Sequence, residues 1–371
     1  MSTKQTQKTK RCCSAVLVGV LLAALSAGCS NPAGGNKPSG GNMGGGGTPG
    51  GGGSGTPPAA PFVEGGASLI LSPDKLNIKV TVTTADNYSP VTVEGCTETM
   101  LTDGTETTLH AKGTLVILKG KITELNCRNN QLTALNVRGC TALKGLNCWG
   151  NRLAALNVQD LTALQGLNCE YNQLTALNVQ GLNALRWLQC DLNKLTELNV
   201  QGCTALQLLQ CNHNQLTALN VQGLTALRGL NCNGNRLTVL NMQGLTALQR
   251  LSCYGNKLTA LDVQGLTALQ ELECFKNQLA ELNVQGCTAL KTLKCNHNQL
   301  TADAFKTLFD NLPVRAEGDR AECYLYTERT GEGNHTNFSA LPDLAAAFTD
   351  AKNNKKWKMY KFNASGLAVE I

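Results

Sequence analysis

Cysteines recur at a fixed interval through the middle of the chain. The interval is 21 residues, and the residues around each cysteine repeat with it. A repeat of this size is typical of a solenoid, in which each unit packs only on its neighbours. The period therefore predicts a repetitive fold over residues 120–300. The cysteines of this column are Cys127, Cys148, Cys169, Cys190, Cys211, Cys232, Cys253, Cys274 and Cys295.

Each repeat carries the pattern Leu-x-x-Leu-x-Cys-x-x-Asn-x-Leu, as between Leu143 and Leu153. Leu146 and Cys148 lie two residues apart, so they share one face of a short strand. Stacked copies would form a parallel sheet with strands about 4.8 Å apart and with leucine and cysteine in the core. The short period leaves little room for a helix on the opposite side, where we expect extended or 3₁₀ backbone.

Two further positions of the repeat have predicted backbone roles. The asparagine three residues after each cysteine, from Asn130 to Asn298, stands where the chain leaves the strand. Its amide can satisfy backbone groups that the turn leaves unpaired. A glycine recurs before the last turn, so positive φ is expected at this position. In one repeat Asp160 stands there in place of the glycine. These glycines are Gly139, Gly181, Gly202 and Gly223.

The start of the chain has the features of a secretory signal. Residues 1–28 combine a basic segment with a short apolar segment that ends before Cys29. Leu25 to Cys29 resembles the lipobox of bacterial lipoproteins, in the looser form similar to that of spirochaetes, which implies lipidation of Cys29. Cleavage to a free secreted protein is the alternative. Residues 29–61 are rich in glycine, proline and serine, as is typical of a disordered tether.

The segments on either side of the repeats read as caps that close the solenoid core. Residues 62–119 are rich in threonine and valine and predict a β-rich N-terminal cap. Residues 301–371 predict an α/β C-terminal cap in the order helix, strand, helix, strand. Those elements are expected over Ala302–Asn311, 322–327, 341–351 and 357–362.

The cysteines are predicted to be free, buried thiols. Neighbouring ladder cysteines would have parallel Cα–Cβ directions and Cβ atoms about 4.8 Å apart, beyond the usual disulfide range. Buried thiols behave as small apolar groups. A zinc or redox role is the weaker alternative, because the mature chain has no Cys-x-x-Cys pair. Cys140, Cys203 and Cys287 replace leucine at another core position, whereas Cys96 and Cys323 have no predicted place.

Composition and motifs point away from catalysis and from nucleic acid. The formal charge of +6 falls to about +2 once Lys4, Lys8, Lys10 and Arg11 leave with the signal. His213 and His297 share a repeat column, but four repeats separate them by roughly 19 Å, too far to share a metal. The sequence predicts no enzyme and no cofactor, since no P-loop, His-Glu-x-x-His or Gly-x-Ser-x-Gly motif occurs.

Binding residues must come from the columns that point away from the core. These columns vary along the chain while the core columns hardly change, as expected of a scaffold with a variable binding face. Large aromatic side chains there favour binding, because they supply apolar area at low entropic cost. Scattered surface aromatics without a role are the alternative. The candidate ligand-binding residues of the predicted concave face are Trp149, Tyr171, Trp187, Tyr254, Phe275 and Arg128.

The repeat text is similar to that of leucine-rich-repeat proteins. Units such as residues 174–194 resemble the cysteine-ladder repeats of one group of bacterial internalins. The layout of signal, tether, β-rich head, repeats and a tail with Trp357-Lys358 also resembles leucine-rich-repeat surface lipoproteins of spirochaetes such as treponemes. The resemblance implies surface display and adhesion or protein–protein interaction, with no catalysis.

The predicted architecture is an α/β solenoid, mostly β, of about nine 21-residue leucine-rich repeats between the two caps. The leading functional hypothesis is an outer-membrane-anchored, surface-displayed lipoprotein that binds a host or neighbouring-cell surface protein through the concave face. The chain is expected to be a monomer that touches the membrane through its N-terminal lipid. A periplasmic scaffold and a glycan-binding module are the alternatives.

Overall fold

The computed structural model describes residues 59–86 and 89–371. The predicted signal peptide, the predicted lipidation site Cys29 and nearly all of the predicted tether lie outside the described residues. Within the described ranges, no helix has both the length and the apolar character needed to cross a membrane.

Short strands make up the N-terminal region, in agreement with its threonine and valine content. Six strands precede the first repeat strand, β7, and alternate buried and exposed side chains along most of their length. Their bounds are β1 Gly66–Ile70, β2 Asn77–Thr84, β3 Val91–Glu94, β4 Met100–Leu101, β5 Thr107–His110, β6 Leu115–Lys119 and β7 Ile122–Asn126.

The repeats form a solenoid in which each coil adds one strand to a main parallel sheet. Strand partners lie 21 residues apart, as in the pairing of Leu146 with Leu167 and of Leu167 with Leu188. A second, sparser row contains β8, β11 and β13. The bounds are β8 Ala134–Asn136, β9 Gly145–Asn147, β10 Gly166–Asn168, β11 Ala176–Asn178, β12 Trp187–Gln189, β13 Glu197–Asn199, β14 Leu208–Gln210, β15 Gly229–Asn231, β16 Arg250–Ser252, β17 Glu271–Glu273 and β18 Thr292–Lys294.

Tight turns, rather than a helix, return the chain on the side opposite the main sheet. In one coil, Leu161 N donates to Val158 O at 3.1 Å and Leu164 N donates to Leu161 O at 2.9 Å. These i to i+3 bonds are of the 3₁₀ type. The described repeats contain no α-helix on this side, and their separate i to i+3 bonds agree with the expectation of extended or 3₁₀ backbone, because the short period leaves few residues for a helix.

The C-terminal region alternates helices and strands as predicted. Two strands continue the parallel order of the main sheet, since β18 pairs with β19 and β19 with β20. A last strand, which the sequence pattern did not predict, returns antiparallel along β20. The bounds are α1 Ala302–Asn311, β19 Glu322–Thr327, α2 Pro342–Asn353, β20 Lys358–Phe362 and β21 Ala368–Glu370.

The N-terminal strands pair with both rows of the solenoid. In the main sheet β2 runs antiparallel to β7, with Val82 opposite Leu125. In the second row β1 runs antiparallel to β8, with Leu69 opposite Leu135. The first coil therefore has a partner strand on both rows, which prevents open pairing at this end of the core.

The cysteine ladder forms one buried column, as predicted. Its thiols have no solvent exposure, and all fourteen cysteines that the structure describes are free. Burial raises the pKa of the Cys127 and Cys232 thiols to about 12. Some thiols also reach the next coil, as Cys190 Sγ does at 3.3 Å from Gln210 O. The ladder therefore consists of protonated, apolar packing groups.

A second ladder of buried asparagines joins consecutive coils. Asn214 Nδ2 donates to Cys211 O of its own coil at 3.1 Å and to Cys190 O of the preceding coil at 3.0 Å. Its Oδ1 accepts from Leu195 N at 3.0 Å. Repetition of this arrangement from Asn130 to Asn298 confirms the predicted role of the column.

Both ladders extend into the caps with altered spacing. At the start, β2 takes the place of a preceding coil. Asn130 Nδ2 donates to Lys79 O, and Asn130 Oδ1 accepts from Lys79 N. At the end, Asn334 donates to Cys295 O at 2.9 Å and to Leu325 O at 2.8 Å. Cys323 occupies a leucine position, because it lies opposite Leu293.

The recurring turn glycines are required for two different reasons. This corrects the sequence-based prediction, which expected positive φ at all of them. Gly181, Gly202 and Gly223 have φ between 77° and 80°, where a Cβ is strained. Gly139 is absent from the positive-φ residues. A Cβ there would lie 1.7 Å from Val63 O, so close approach of the N-terminal cap requires this glycine.

Candidate binding face

The solvent-facing side of the main sheet carries the candidate binding residues. Along β9, Leu146 and the following Cys148 are buried, so Gly145, Asn147 and Trp149 point the other way. We call the side chains in these three alternating positions of every coil the outward face. It corresponds to the face predicted as concave. The position directly after the cysteine contributes Arg128, Trp149, Glu170, Asp191, Asn212, Asn233, Tyr254, Phe275 and Asn296.

Four of the predicted aromatic residues form two separate contacts. Trp149 and Tyr171 meet edge to face, with ring centroids 5.5 Å apart and planes at 71°. Tyr254 and Phe275 stack in consecutive coils, with centroids 4.2 Å apart and planes at 12°. Each pair keeps some exposure, and Tyr171 is 52% exposed.

Trp187 stands apart from both pairs. It lies before the strand leucine, in the same register position as Gly166 and Leu208. Its ring covers Gly166, where a Cβ would lie 3.6 Å from the indole. Among the ring contacts of the described residues, none joins Trp187 to another aromatic. The predicted aromatic residues therefore form two pairs and one isolated side chain, Trp187, rather than one cluster.

Tyr171 occupies an unusual backbone position. It follows the cysteine by two residues and has φ of 52°. The whole column shares this left-handed conformation, which the sequence analysis did not predict. Its members are Asn129, Gly150, Tyr171, Leu192, His213, Gly234, Gly255, Lys276 and His297. The left-handed turn directs these side chains out at the edge of the outward face, at a small cost in strain for each residue that is not glycine.

The C-terminal cap adds aromatics that the sequence analysis missed. Tyr324 lies opposite Lys294 in the sheet, and Tyr360 lies opposite Tyr324. The Tyr324 ring stacks on Tyr360 at 5.0 Å and on Phe362 at 5.5 Å. The sequence pattern could have revealed Tyr324, because side chains alternate along this strand and Cys323 is buried, so Tyr324 lies on the outward face.

Two carboxyl groups lie in adjacent coils at the centre of the face. Asp191 is 7% exposed and Glu170 is half-buried. Desolvation, followed by the charge of Glu170, raises the pKa of Asp191 to about 9. Burial also raises the pKa of Glu170. The Asn212 backbone N–H donates to Asp191 Oδ1 at 2.8 Å. This pair therefore retains a proton near neutral pH.

Charged residues on the C-terminal half of the face occur in oppositely charged pairs. Arg250 and Glu271 form an ion pair at 3.3 Å in the position before the strand leucine. Lys294 pairs with Glu273 at 2.8 Å, and its ammonium lies 5.7 Å from the centre of the Tyr324 ring. These paired charges lie in the same coils as the Tyr254–Phe275 stack and beside the C-terminal aromatics.

The described residues contain no cluster of three or more histidine, cysteine, aspartate or glutamate side chains that could hold a metal ion. His213 and His297 lie in separate coils of the left-handed column. His297 N donates to the Glu332 carboxylate at 2.9 Å. The arrangement of the outward face offers contact area and hydrogen bonds.

Comparison with known proteins identifies structural likenesses only. No family model matches the chain, and no curated protein matches it significantly. The functional domain of InlJ from Listeria monocytogenes, which includes a cysteine ladder, is 30% identical; the match covers 56% of this chain and 49% of that chain, with a TM-score of 0.43. The leucine-rich-repeat protein LIC12759 from Leptospira interrogans is 23% identical, with 60% and 56% covered and a TM-score of 0.48.

The leucine-rich effector YopM from Yersinia pestis is 24% identical to this chain; the match covers 48% of this chain and 50% of that one, with a TM-score of 0.43. This chain spans about half of the InlJ chain and of the LIC12759 chain. These TM-scores are below 0.5, so the fold rests on the strand pairing and the two ladders described above. On that basis the chain is a mostly-β solenoid of the leucine-rich-repeat type.

Proposed function

We propose that this chain is a binding protein that recognises a partner protein through the outward face of its main sheet. The observation that carries the proposal is the presence of partly exposed aromatic pairs on an otherwise regular polar surface. Aromatic side chains dominate the energetics of protein interfaces, where truncation of a central one costs about 2 kcal/mol or more.

The contacts within each pair support a role in recognition. Tyr254 and Phe275 hold each other in place, so their ordering upon binding has a small entropic cost. Trp149 is likewise held against Tyr171. Rings that are fixed before binding are suited to act as anchors, whereas isolated flexible side chains would lose more freedom.

The stacking favours a protein partner over a glycan. Sugar rings bind by lying on the open face of an aromatic side chain. Tyr254 and Phe275 cover one face of each other at 4.2 Å, which reduces the platform available to a sugar. A glycan-binding module stays the alternative that a direct binding test must separate.

The proposed site of action is the cell surface, with the chain held in the outer membrane by a lipid on Cys29. The support is the sequence pattern of residues 1–61, because the structure does not describe Cys29. Protease treatment of intact cells tests this display. Digestion of the repeats is expected, and full protection would favour a scaffold on the periplasmic side instead.

A pull-down with the full chain as bait tests recognition. We expect the Tyr254→Ala and Trp149→Ala variants to recover at least tenfold less of a partner than the unchanged chain. The matched control is Phe62→Ala, because Phe62 is an aromatic residue that is 61% exposed and lies outside the outward face. Equal recovery by all variants would refute binding through this face. A glycan array with the same variants would reveal sugar binding in place of protein binding.

A further inference from the structure

A pocket of about 450 Å³ lies where the N-terminal cap meets the first coil. Three cations, Lys75, Lys79 and Arg128, line it, together with one carboxylate, Glu106. The remaining lining residues are uncharged and polar. We call this cavity the basic pocket. Nothing in the repeat pattern accounts for it, because the cap supplies most of its wall.

Strand pairing makes the basic pocket continuous with the outward face. Ile78 and Val80 of β2 are buried, so Lys79 and the alternate residues of that strand point outward. Thr81 lies directly opposite Asn126 of β7. A ligand that lies along the outward face can therefore enter the pocket without a change of direction.

The three cations differ in how well the protein satisfies them. Lys75 Nζ donates to Asn129 O at 2.5 Å. Lys79 forms a 3.1 Å ion pair with Glu106, but the two side chains are 65% and 50% exposed, so this pair contributes little.

Arg128 is the pocket cation whose side chain has no partner among the described residues. Its backbone N–H donates to Asn126 Oδ1 at 3.3 Å, but its guanidinium makes no hydrogen bond or ion pair with any described residue. A guanidinium presents five donors in a planar fork that matches a carboxylate. Arg128 is exposed, so of the three cations lining the pocket its guanidinium is the one whose donors can exchange water for a carboxylate without breaking a bond within the protein.

The next basic side chain on the outward face after Arg128 is Arg250, six coils further on, and it is paired with Glu271. Glu124 lies two residues before Asn126 on the same strand, and Glu170 lies two coils beyond Arg128. Trp149 follows Arg128 in the next coil, and Asn129 N donates to Trp149 O at 2.8 Å. A long polyanion would meet these carboxyl groups, whereas a short acidic stretch followed by apolar residues would match both neighbours.

We propose that the basic pocket binds the carboxylate side chains of an acidic segment of a partner protein, with Arg128 as the principal donor and Trp149 as the contact for the apolar residues that follow. This inference rests on the proposed function and identifies the kind of partner segment that the outward face selects.

Fluorescence anisotropy with the full chain tests the proposal. The ligands are a labelled peptide, Asp-Glu-Glu-Gly-Leu-Trp, and its Asn-Gln-Gln-Gly-Leu-Trp analogue, which has the same shape without the charges. We expect the acidic peptide to bind about tenfold more tightly than the amide analogue, and this preference to disappear in about 0.5 M salt, which screens exposed charges. Arg128→Gln is expected to weaken binding of the acidic peptide about tenfold.

The matched control is Arg236→Gln. Arg236 is exposed in a later coil, and its guanidinium makes no hydrogen bond or ion pair with a residue in the described ranges, whereas its backbone N–H donates to Leu216 O at 2.9 Å. Equal affinity for the two peptides, or an equal loss in both arginine variants, would overturn the proposal. Tighter binding of a heparin hexasaccharide that displaces the peptide would also overturn it, by assigning the pocket to a sulfated glycan.

The outcome can be separated from that of the proposed function. If a partner recovered by the full chain is lost with Tyr254→Ala but retained with Arg128→Gln, the outward face binds protein and the basic pocket does not contribute. If Tyr254→Ala and Trp149→Ala retain that partner, the proposed function itself fails.

Discussion

Removal of one asparagine from the middle of the asparagine ladder should destabilise the whole solenoid. In Asn214→Ala, the Leu195 N–H loses its acceptor at 3.0 Å and stays buried. An orphaned buried donor costs about 1–3 kcal/mol. The variant also loses the bonds to Cys190 O and Cys211 O, each worth up to about 1 kcal/mol.

The two cysteine carbonyls keep a second donor, which limits the loss. Cys190 O still accepts from Asn193 Nδ2 at 3.1 Å, and Cys211 O still accepts from Asn235 Nδ2 at 3.0 Å. The orphaned N–H of Leu195 is therefore the main term. We expect the free energy of unfolding to fall by about 3 kcal/mol.

Urea unfolding followed by far-ultraviolet circular dichroism measures this change. The control is Gln215→Ala at the adjacent, half-buried position, whose backbone N–H bond to Leu195 O survives the substitution. It should change stability by less than about 0.5 kcal/mol. A loss below about 0.5 kcal/mol for Asn214→Ala would refute the view that the amide ladder holds adjacent coils together. Separate transitions for the two halves would show that the coils no longer unfold cooperatively.

Three further predictions follow from the same geometry. Because the pKa of Asp191 is raised to about 9, the folded state holds a proton that the unfolded chain releases. The free energy of unfolding should therefore fall as pH rises from 5 to 8, by at most about 4 kcal/mol for one proton. Urea unfolding of Asp191→Asn should show a weaker pH dependence. Gly255 has φ of 66°, so Gly255→Val should lower the free energy of unfolding by about 1–2 kcal/mol, and an unchanged thermal midpoint would contradict the left-handed geometry of its column. The fourteen described thiols are buried and free, so thiol-specific labelling at pH 8 followed by mass spectrometry should modify them only after unfolding; rapid labelling of Cys211 in the native protein would contradict the buried ladder.

The repeat could be predicted from sequence because two periods coincide in it. Alternation by two residues assigns Leu146 and Cys148 to the core, and the 21-residue spacing places equivalent residues side by side. The helix Ala302–Asn311 was also predictable, since its apolar spacing and the Thr301 N-cap are local features. Local patterns that repeat without interruption determine these elements.

Features that depend on distant segments could not be predicted. The reason for Gly139 lies at Val63, which approaches it from the cap. Asn334 continues the asparagine ladder, but an irregular spacing separates it from Asn298. The ring geometries of the outward face depend on side-chain rotamers, so the sequence could assign Tyr254 and Phe275 to one column but could not show that they stack.

The strict register of the coils has a consequence for how such a chain can change length. Leu209 pairs with Leu230 and Leu230 with Leu251, so each boundary between coils presents the same backbone hydrogen bonds. Excision of residues 212–232 would join two equivalent points and leave every remaining coil with a matching neighbour. Gene segments that encode whole coils can therefore be lost or duplicated during replication while the fold persists, and the extent of the recognition surface then varies in discrete steps.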